Sequence, residues 1–288
     1  MQEQTFILEK YNSFEPRDIF ECGQCFRWNQ KADGSYTGVF GRNVINVKKE
    51  DDKIVFTGIC EGDLKQTVIH YFDLNRDYLK IKKELASLDD YLKQSIHHGE
   101  GIRILNQDLW ETIISFIISA NNNIPRIKGI IERIAKAYGK KITFQNEIYD
   151  TFPTIEELGK AKVEDFRKLG LGFRDVRVYE TTHMFLEGKI SIEELENTKD
   201  TNQLKEKLLQ LPGVGPKVRD CILLFSTLKR LEVFPIDVWV RRVMNELYIK
   251  NQDENKVSKT EILNLANEKF KSLAGLAQQY LFYWKRGA

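Results

Sequence analysis

This chain of 288 residues has few cysteines, no long apolar run and almost no net charge. The four cysteines, Cys22, Cys25, Cys60 and Cys221, include one close pair, whereas a tetrahedral zinc site needs a second close pair and an iron–sulfur cluster needs four clustered cysteines. No uncharged apolar run reaches the ~18 residues of a transmembrane helix, and the start MQEQTFILEK lacks the basic residues and apolar core of a signal peptide. We therefore expect a cytoplasmic protein with no membrane partner, no metal and no other cofactor.

The balance of charge also excludes one way of binding nucleic acid. With 44 Lys and Arg against 42 Asp and Glu, the net charge is +2, far below that of a protein that holds nucleic acid by bulk electrostatics. A DNA-binding function would therefore have to depend on a local structural element that binds DNA. Because 42% of the residues are hydrophobic, the chain can bury one large core or two ordinary ones, and we start from two domains.

The close cysteine pair lies in ECGQCFRW, Glu21 to Trp28, and its spacing admits a redox pair, half of a metal site, or neither. A redox pair requires a strand-to-helix turn inside a βαβ pattern. The following segment instead alternates apolar and polar residues around turns at Asp33-Gly34 and Asp51-Asp52, and its alternating apolar residues are Ile45, Val47, Ile54 and Phe56. That pattern predicts an antiparallel meander, which leaves the redox interpretation without its structural context.

From about residue 70 onward, the apolar residues follow a helical period. A charged helical pattern covers Leu74 to Ile96, and QDLWETIISFIISA carries an apolar stripe with Asp108 as its N-cap. Further helix signals are a stop at Gly139, a capping box at Thr154–Glu157, a start at Asp200 or Thr201, and a final pair of helices in KTEILNLANEKF and LAGLAQQYLFYW. We therefore predict an α+β protein, with an antiparallel β domain and flanking helix in residues 1–100 packed on a mostly α-helical domain in residues 101–288.

The most informative segment of the helical part is LLQLPGVGPKVRDCILLF, Leu208 to Phe225. Pro212 and Gly213 force a tight turn, and Gly215 with Pro216 starts a new helix, because proline suits the first helical position. The free N–H groups of such a loop, at a helix N-terminus, form a cradle for an anion such as a DNA phosphate. A simple turn explains proline and glycine but not two glycines with this spacing, and L-P-G-V-G-P-K resembles the helix-hairpin-helix element that binds DNA backbone without reading sequence.

Two charged residues near this hairpin are candidates for catalysis. Lys217 lies in the first turn of the new helix, where the helix dipole disfavours a cation, and partial burial there would lower its pKa and favour the nucleophilic neutral amine. Asp237 follows Pro235 at the start of the next helix, a position where aspartate is an ordinary N-cap. Taken singly, each residue has an ordinary structural explanation: Lys217 as a solvated surface lysine and Asp237 as a helix N-cap.

The two residues together carry a family resemblance. L-P-G-V-G-P-K-V-R-D-C followed by P-I-D-V resembles the catalytic core of the helix-hairpin-helix DNA glycosylase superfamily, and the whole pattern is similar to 8-oxoguanine DNA glycosylase/AP lyase. Six separated motifs occur in the family's order: GQCFRW, SANNNIPRI, LGLGFRD, the hairpin, PIDV and AQQYLF. The resemblance implies an enzyme that flips a damaged nucleotide out of duplex DNA, with Lys217 attacking C1′ and forming a Schiff base that permits β-elimination. It implies that Asp237 stabilises the positive charge on the sugar and helps position or deprotonate the lysine.

The resemblance also assigns the base pocket. Gly23 would offer its carbonyl to the N7 proton that 8-oxoguanine carries and guanine lacks, so that Cys22 and Cys25 flank the functional residue without chemistry of their own. Cys221 would pack on one face of the flipped base and Phe282 on the other, while Gln278 would read the Watson–Crick edge. Without the six motifs, Cys221 and Phe282 would be read as core residues.

The remaining implied residues contact DNA. Asn121 would occupy the hole left by the extruded base, Arg126 and Arg174 would contact the orphaned cytosine, and Phe173 would wedge between base steps, where much of the family has tyrosine. The hairpin glycines, Gly213 and Gly215, would contact the DNA backbone. One departure is Trp239, because animal and fungal members carry there a histidine that helps hold a phosphate, and we do not assign it to the site.

The implied partner is double-stranded DNA containing 8-oxoguanine, with cytosine opposite, and we expect a monomer in a prokaryotic, nucleoid-associated cytoplasm. Two other interpretations stay open: a related helix-hairpin-helix glycosylase for another oxidised base, and a non-catalytic DNA-binding module. Endonuclease III-like enzymes usually carry a carboxy-terminal four-cysteine cluster that this chain lacks, and alkylated-base glycosylases lack the lysine. A pure binding module would not need Lys217, Asp237 and the Gly23 segment together.

Overall fold

The fold of the amino-terminal part, in a computed structural model that describes residues 2–9, 11, 13–253 and 256–287, is a five-stranded antiparallel sheet. Its order is β1-β5-β4-β3-β2. The strands are β1 (Glu3–Glu9), β2 (Trp28–Gln30), β3 (Tyr36–Phe40), β4 (Asn43–Glu50) and β5 (Lys53–Ile59). The predicted meander is confirmed in β3 to β5, where the four alternating apolar residues named above are fully buried. Strand β1, which we did not predict, pairs along β5 with Phe6 opposite Phe56.

Fifteen α-helices lie in the part of the chain that the structure describes. The first four are α1 (Pro16–Glu21), α2 (Leu64–Tyr71), α3 (Tyr78–Ala86) and α4 (Asp90–His98). The body contains α5 (Leu109–Ser119), α6 (Ile124–Tyr138), α7 (Ile155–Leu158), α8 (Val163–Lys168), α9 (Asp175–Leu186), α10 (Ile192–Asn197), α11 (Thr201–Leu209), α12 (Pro216–Phe225), α13 (Val238–Met244), α14 (Lys259–Phe270) and α15 (Ala274–Arg286). The α+β architecture predicted from the sequence is therefore confirmed.

Short polar side chains decide where these helices begin. Asp108 accepts a hydrogen bond from Glu111 N, Asp200 accepts one from Gln203 N, and Thr154 forms the predicted capping box with Glu157. The helical pattern from Leu74 to Ile96 is two helices, α3 and α4. The side chains of Asp77 and Asp89 each cap a separate N-terminus there, which a charged periodic segment does not reveal.

The mostly helical body also contains one β-hairpin that we did not predict. Strands β6 (Lys141–Phe144) and β7 (Glu147–Asp150) pair antiparallel around a turn at Gln145 and Asn146. Both turn residues have positive φ, 49° and 63°. Strands of four residues are too short for a period of two to stand out from a helical context.

Two main groups of buried side chains form the core. One lies on the sheet and includes Phe14, Trp28, Phe56 and Phe72. The other fills the helical body and includes side chains of α3 and α4, so these helices pack with the body, and the division at residue 100 stays a prediction. No helix in the described residues is long and apolar enough to cross a membrane.

Candidate active site

A cavity of about 620 Å³ opens where the loop after α1 meets the helical body. It is lined by the C-terminal end of α5, by the first turns of α12 and α13, and by α15. A small annex of about 50 Å³ adjoins it and reaches deeper between α12 and α15. Between them the two spaces bring together seven residues singled out from the sequence: Gly23, Asn121, Lys217, Cys221, Asp237, Gln278 and Phe282.

The hairpin between α11 and α12 places the lysine at this cavity. Gly213 has φ of +86°, and a Cβ atom there would lie 3.1 Å from Ile117 Cγ2, so the turn requires glycine. Gly215 is the N-cap of α12, no side chain caps the helix, and Pro216 occupies its first turn. The N–H groups of this turn are therefore not satisfied by side chains, as an anion cradle requires. Lys217 is half-buried, and its Nζ lies 5.6 Å from the centre of the Phe116 ring.

The carboxylate of Asp237 faces the same cavity from α13. Its Oδ1 accepts a hydrogen bond of 2.8 Å from Val240 N, which is the N-cap arrangement predicted from the sequence. This bond fixes the side chain while it lines both the cavity and the annex with Lys217. A fixed anion beside an amine is suited to stabilise positive charge that develops between them.

The thiol of Cys221 lies one turn beyond Lys217 in α12. Burial raises the pKa of this thiol to about 11, although the nearby Lys217 cation opposes the rise. The thiol is therefore protonated at neutral pH and acts as an apolar wall rather than a nucleophile. In the annex it faces Gln278, a buried residue whose Oε1 has no hydrogen-bond partner in the described part of the chain. A buried amide oxygen without a partner is costly, so a ligand donor at this position would be strongly favoured.

The Gly23 backbone is held in position from several sides. Gly23 has φ of +89°, a left-handed conformation that favours glycine. Gln279 Nε2 donates to the Cys22 carbonyl at 2.5 Å, and Arg286 Nη2 donates to the Glu21 carbonyl at 2.7 Å. None of the described residues donates a hydrogen bond to the Gly23 carbonyl itself. The loop is thus braced on its neighbouring carbonyls while this one stays available to a ligand.

Gln24 continues this brace on the other side of Gly23. Its side chain is fully buried, and Nε2 donates to the Ile19 carbonyl at 2.9 Å and to the Arg103 carbonyl at 2.7 Å. Its Oε1 accepts from Leu105 N at 2.9 Å, and its own carbonyl accepts from Gln107 at 2.7 Å. Sequence reasoning missed Gln24, Gln279 and Arg286. The motifs GQCFRW and AQQYLF contained Gln24 and Gln279 without assigning them a role, and no pattern marked Arg286.

Asn121 lies in the turn between α5 and α6, and the buried side chain of Arg174 binds the carbonyls of that turn. Asn121 has φ of +50° and is exposed at the cavity. The side chain of Arg174 is 1% exposed, and its guanidinium donates to the carbonyls of Ala120, Asn121 and Leu171 at distances between 2.5 and 3.1 Å. These bonds leave one Nη1 hydrogen without a partner among the described residues, so in this conformation Arg174 is mainly a clamp.

The other predicted DNA contacts are on the surface. Arg126 is exposed and donates one long hydrogen bond of 3.4 Å to the Gly170 carbonyl. Phe173 is 54% exposed, and the centre of its ring lies 4.2 Å from the guanidinium carbon of Arg174 and 5.2 Å from that of Arg177. An exposed aromatic ring held against two cations is available for stacking. Trp239 lines the cavity as well and is 53% exposed.

The paired cysteines have no reactive environment. Cys22, Cys25, Cys60 and Cys221 are all free, and burial raises the pKa of the Cys22 thiol to about 12. Burial raises the pKa of Cys25 as well. A redox pair needs an accessible thiolate, which this environment disfavours. Within the described residues, no group of three or more His, Cys, Asp or Glu side chains is placed to hold a metal ion.

Comparison with known families identifies the class of protein. Residues 6–113 match the N-terminal domain of 8-oxoguanine DNA glycosylase, and residues 114–272 match the HhH-GPD superfamily base excision DNA repair protein. The second match alone covers more than half of the chain. The chain belongs to the HhH-GPD superfamily of base excision DNA repair proteins.

Individual relatives are similar over most of their length. The probable N-glycosylase/DNA lyase of Methanothermobacter thermautotrophicus is 32% identical over 79% of this chain and 76% of that protein. The N-glycosylase/DNA lyase of Saccharomyces cerevisiae is 31% identical over 83% of this chain and 69% of that protein. Clostridium acetobutylicum 8-oxoguanine glycosylase/lyase, in complex with double-stranded DNA containing cytosine opposite 8-oxoguanine, is 42% identical with a TM-score of 0.92, covering 99% of this chain and 97% of that one.

Proposed function

We propose that this chain is a bifunctional DNA glycosylase/AP lyase that excises 8-oxoguanine from duplex DNA with cytosine opposite the lesion. The observation that carries this proposal is the single cavity lined by Lys217, Asp237 and the Gly23 carbonyl loop, which come from three distant segments. The relatives named N-glycosylase/DNA lyase, and the C. acetobutylicum complex with DNA, support the same reaction class.

Lys217 is the proposed nucleophile. Its neutral amine attacks C1′ of the flipped nucleotide, the bond between C1′ and N9 breaks, and the base leaves with the bonding electrons and takes up a proton. The C1′–O4′ bond then breaks, O4′ keeps the bonding electrons and takes up a proton, and a protonated Schiff base forms between Nζ and C1′. Removal of a C2′ proton then expels the 3′ phosphate. Asp237 stabilises the positive charge on the sugar and helps position or deprotonate the amine.

The base pocket is proposed to recognise the oxidised edge of the purine. The Gly23 carbonyl accepts the N7 proton, which guanine lacks, and a lone pair placed against that carbonyl would cost about 1–3 kcal/mol. The unpartnered Oε1 of Gln278 supports its proposed role, because the Watson–Crick edge of the purine offers N–H donors there. Cys221 and Phe282 close the two faces of the base.

The surface around the cavity is proposed to hold the bent duplex. Asn121 fills the space of the extruded nucleotide, Arg126 reads the orphaned cytosine, and Phe173 wedges between base steps. Arg174 contributes its remaining N–H to that cytosine and fixes the Asn121 turn. The hairpin glycines Gly213 and Gly215 let the first turn of α12 bind a backbone phosphate.

Three wider proposals accompany the function. The first is the division of the chain into a β domain of residues 1–100 and a helical domain of residues 101–288. We also propose that the protein is a monomer in a prokaryotic cytoplasm and that it is associated with the nucleoid.

The test is cleavage of duplexes that carry one 8-oxoguanine opposite each of the four bases, by wild type and by Lys217→Gln. We expect nicking with cytosine opposite the lesion and loss of nicking in the variant. The matched control is Lys205→Gln, which changes a lysine on α11 that is half-buried like Lys217 but does not line either space. Duplex binding without any nicking by folded wild type would contradict the proposal and favour a binding module.

A further inference from the structure

The side chain of Arg286 extends from the last turn of α15 to the wall of the large cavity. Its Nη2 is fixed on the Glu21 carbonyl at 2.7 Å. Its Nη1 lies 3.2 Å from the position that a Cβ atom of Gly23 would occupy, and the guanidinium carbon lies 5.5 Å from the centre of the Phe282 ring. One end of the guanidinium is thus anchored on the loop, while the other presents N–H groups beside Gly23.

The two spaces of the site determine which part of the base Arg286 faces. Cys221 and Gln278 line only the annex, whereas Arg286 lines only the large cavity. With the Watson–Crick edge at Gln278 and N7 at Gly23, O6 of the purine lies on the annex side of N7. The oxygen O8 lies on the other side, between N7 and the bond to the sugar, and therefore faces the large cavity.

We propose that Arg286 is a substrate-binding residue that donates a hydrogen bond from Nη1 to O8 of the flipped 8-oxoguanine. This inference rests on the function proposed above and adds a second contact to it. Gly23 accepts from N7–H and Arg286 donates to O8, so the two groups complement both atoms that oxidation alters. Guanine would place C8–H against the cation, which would lose hydrogen bonds to water without replacement.

A purely structural role for Arg286 makes a different prediction. If the residue only holds the Glu21 carbonyl, its loss would displace Gly23. The excision rate would then fall by the same factor for every lesion that carries an N7 proton. If it binds DNA phosphate, its loss would weaken cleavage of an abasic site as well, because that substrate keeps the backbone and lacks the base. Substrate comparison therefore separates the three roles.

The experiment compares Arg286→Ala with wild type on duplexes containing 8-oxoguanine, 8-thioguanine or an abasic site, under single-turnover conditions. 8-Thioguanine keeps N7–H but replaces O8 with sulfur, a weak acceptor. Because the variant loses a hydrogen bond from a charged donor, we expect its single-turnover rate of 8-oxoguanine excision to fall about 10- to 100-fold. The fall with 8-thioguanine should be several-fold smaller, and abasic-site cleavage should change by less than about twofold.

The matched control is Lys285→Ala, which removes the neighbouring cation that pairs with Glu246 at 2.6 Å and does not line the cavity. It should excise 8-oxoguanine at the wild-type rate. Arg286→Gln serves as a second variant should alanine unfold the helix end. The inference would be overturned if the excision rate fell equally for 8-oxoguanine and 8-thioguanine, or if abasic-site cleavage fell as much as 8-oxoguanine excision. It would also be overturned if no rate fell. Wild type that cleaves abasic sites but not 8-oxoguanine would instead refute the proposed function, and the inference with it.

Discussion

Arg174 provides the sharpest test of how the candidate site is held together. The substitution Arg174→Ala removes a guanidinium that is 1% exposed and donates to the carbonyls of Ala120, Asn121 and Leu171. Asn121 adopts a left-handed conformation on this turn, φ +50°, which the clamp helps to maintain. We therefore expect loss of global stability together with loss of order at the Asn121 turn.

The magnitude follows from the three carbonyls. A hydrogen bond from a charged donor contributes about 1.5–3 kcal/mol, and an unsatisfied buried acceptor costs about 1–3 kcal/mol. Water entering the space of the deleted side chain recovers part of this, so we expect a loss of about 3–5 kcal/mol in the free energy of unfolding. That corresponds to a fall of roughly 10 °C in Tm for a chain of this size.

Urea unfolding at 25 °C measures this loss, with Arg126→Ala as the matched control. Arg126 is exposed and makes a single hydrogen bond of 3.4 Å, so its removal should change stability by less than about 0.5 kcal/mol. The reasoning is refuted if the two variants have the same free energy of unfolding. In that case the guanidinium would not be clamping the turn.

Three further predictions concern the Gly23 loop, the Phe173 wedge and the half-buried acid Glu111. Gly23→Ala strains a backbone at φ +89° and crowds Arg286 Nη1 at 3.2 Å, so excision of 8-oxoguanine should fall at least about tenfold while abasic-site cleavage persists; equal losses would contradict this. Phe173→Ala removes an exposed ring, so duplex affinity should fall several-fold with Tm unchanged, and a lower Tm would show that the ring is structural. Burial raises the pKa of Glu111 from 4.5 to about 8, so most of this carboxyl is protonated at neutral pH in the folded chain. Its contribution to stability is complete below pH 4.5 and lost as pH rises through about 8. Glu111→Gln should flatten that decline in urea titrations at several pH values, and an unchanged slope would contradict it.

Local chemistry explains why the hairpin could be predicted in detail. Gly213 has the positive φ that its turn requires, Pro216 occupies the first turn of α12, and Asp237 caps α13 as expected. These features depend on residues within a few positions of one another. The strands β3 to β5 were equally accessible, because alternation and turn residues are also local signals.

The parts that escaped prediction depend on distant contacts. Gln279 reaches the Cys22 carbonyl across 257 residues of sequence, and no local pattern marks that contact. Arg174 looks like a surface residue in LGLGFRD, yet the fold buries it under the Asn121 turn. Strand β1 was missed because its pairing with β5 is set by tertiary packing rather than by a turn.

The most direct test of the central claim is to locate the covalent intermediate. Wild type is incubated with duplex containing 8-oxoguanine opposite cytosine in the presence of borohydride, and the trapped adduct is digested and analysed by mass spectrometry. The mechanism predicts a reduced sugar adduct on Lys217, absent from Lys217→Gln. Excision without any trapped adduct, or an adduct on another lysine in wild type, would contradict the role assigned to Lys217.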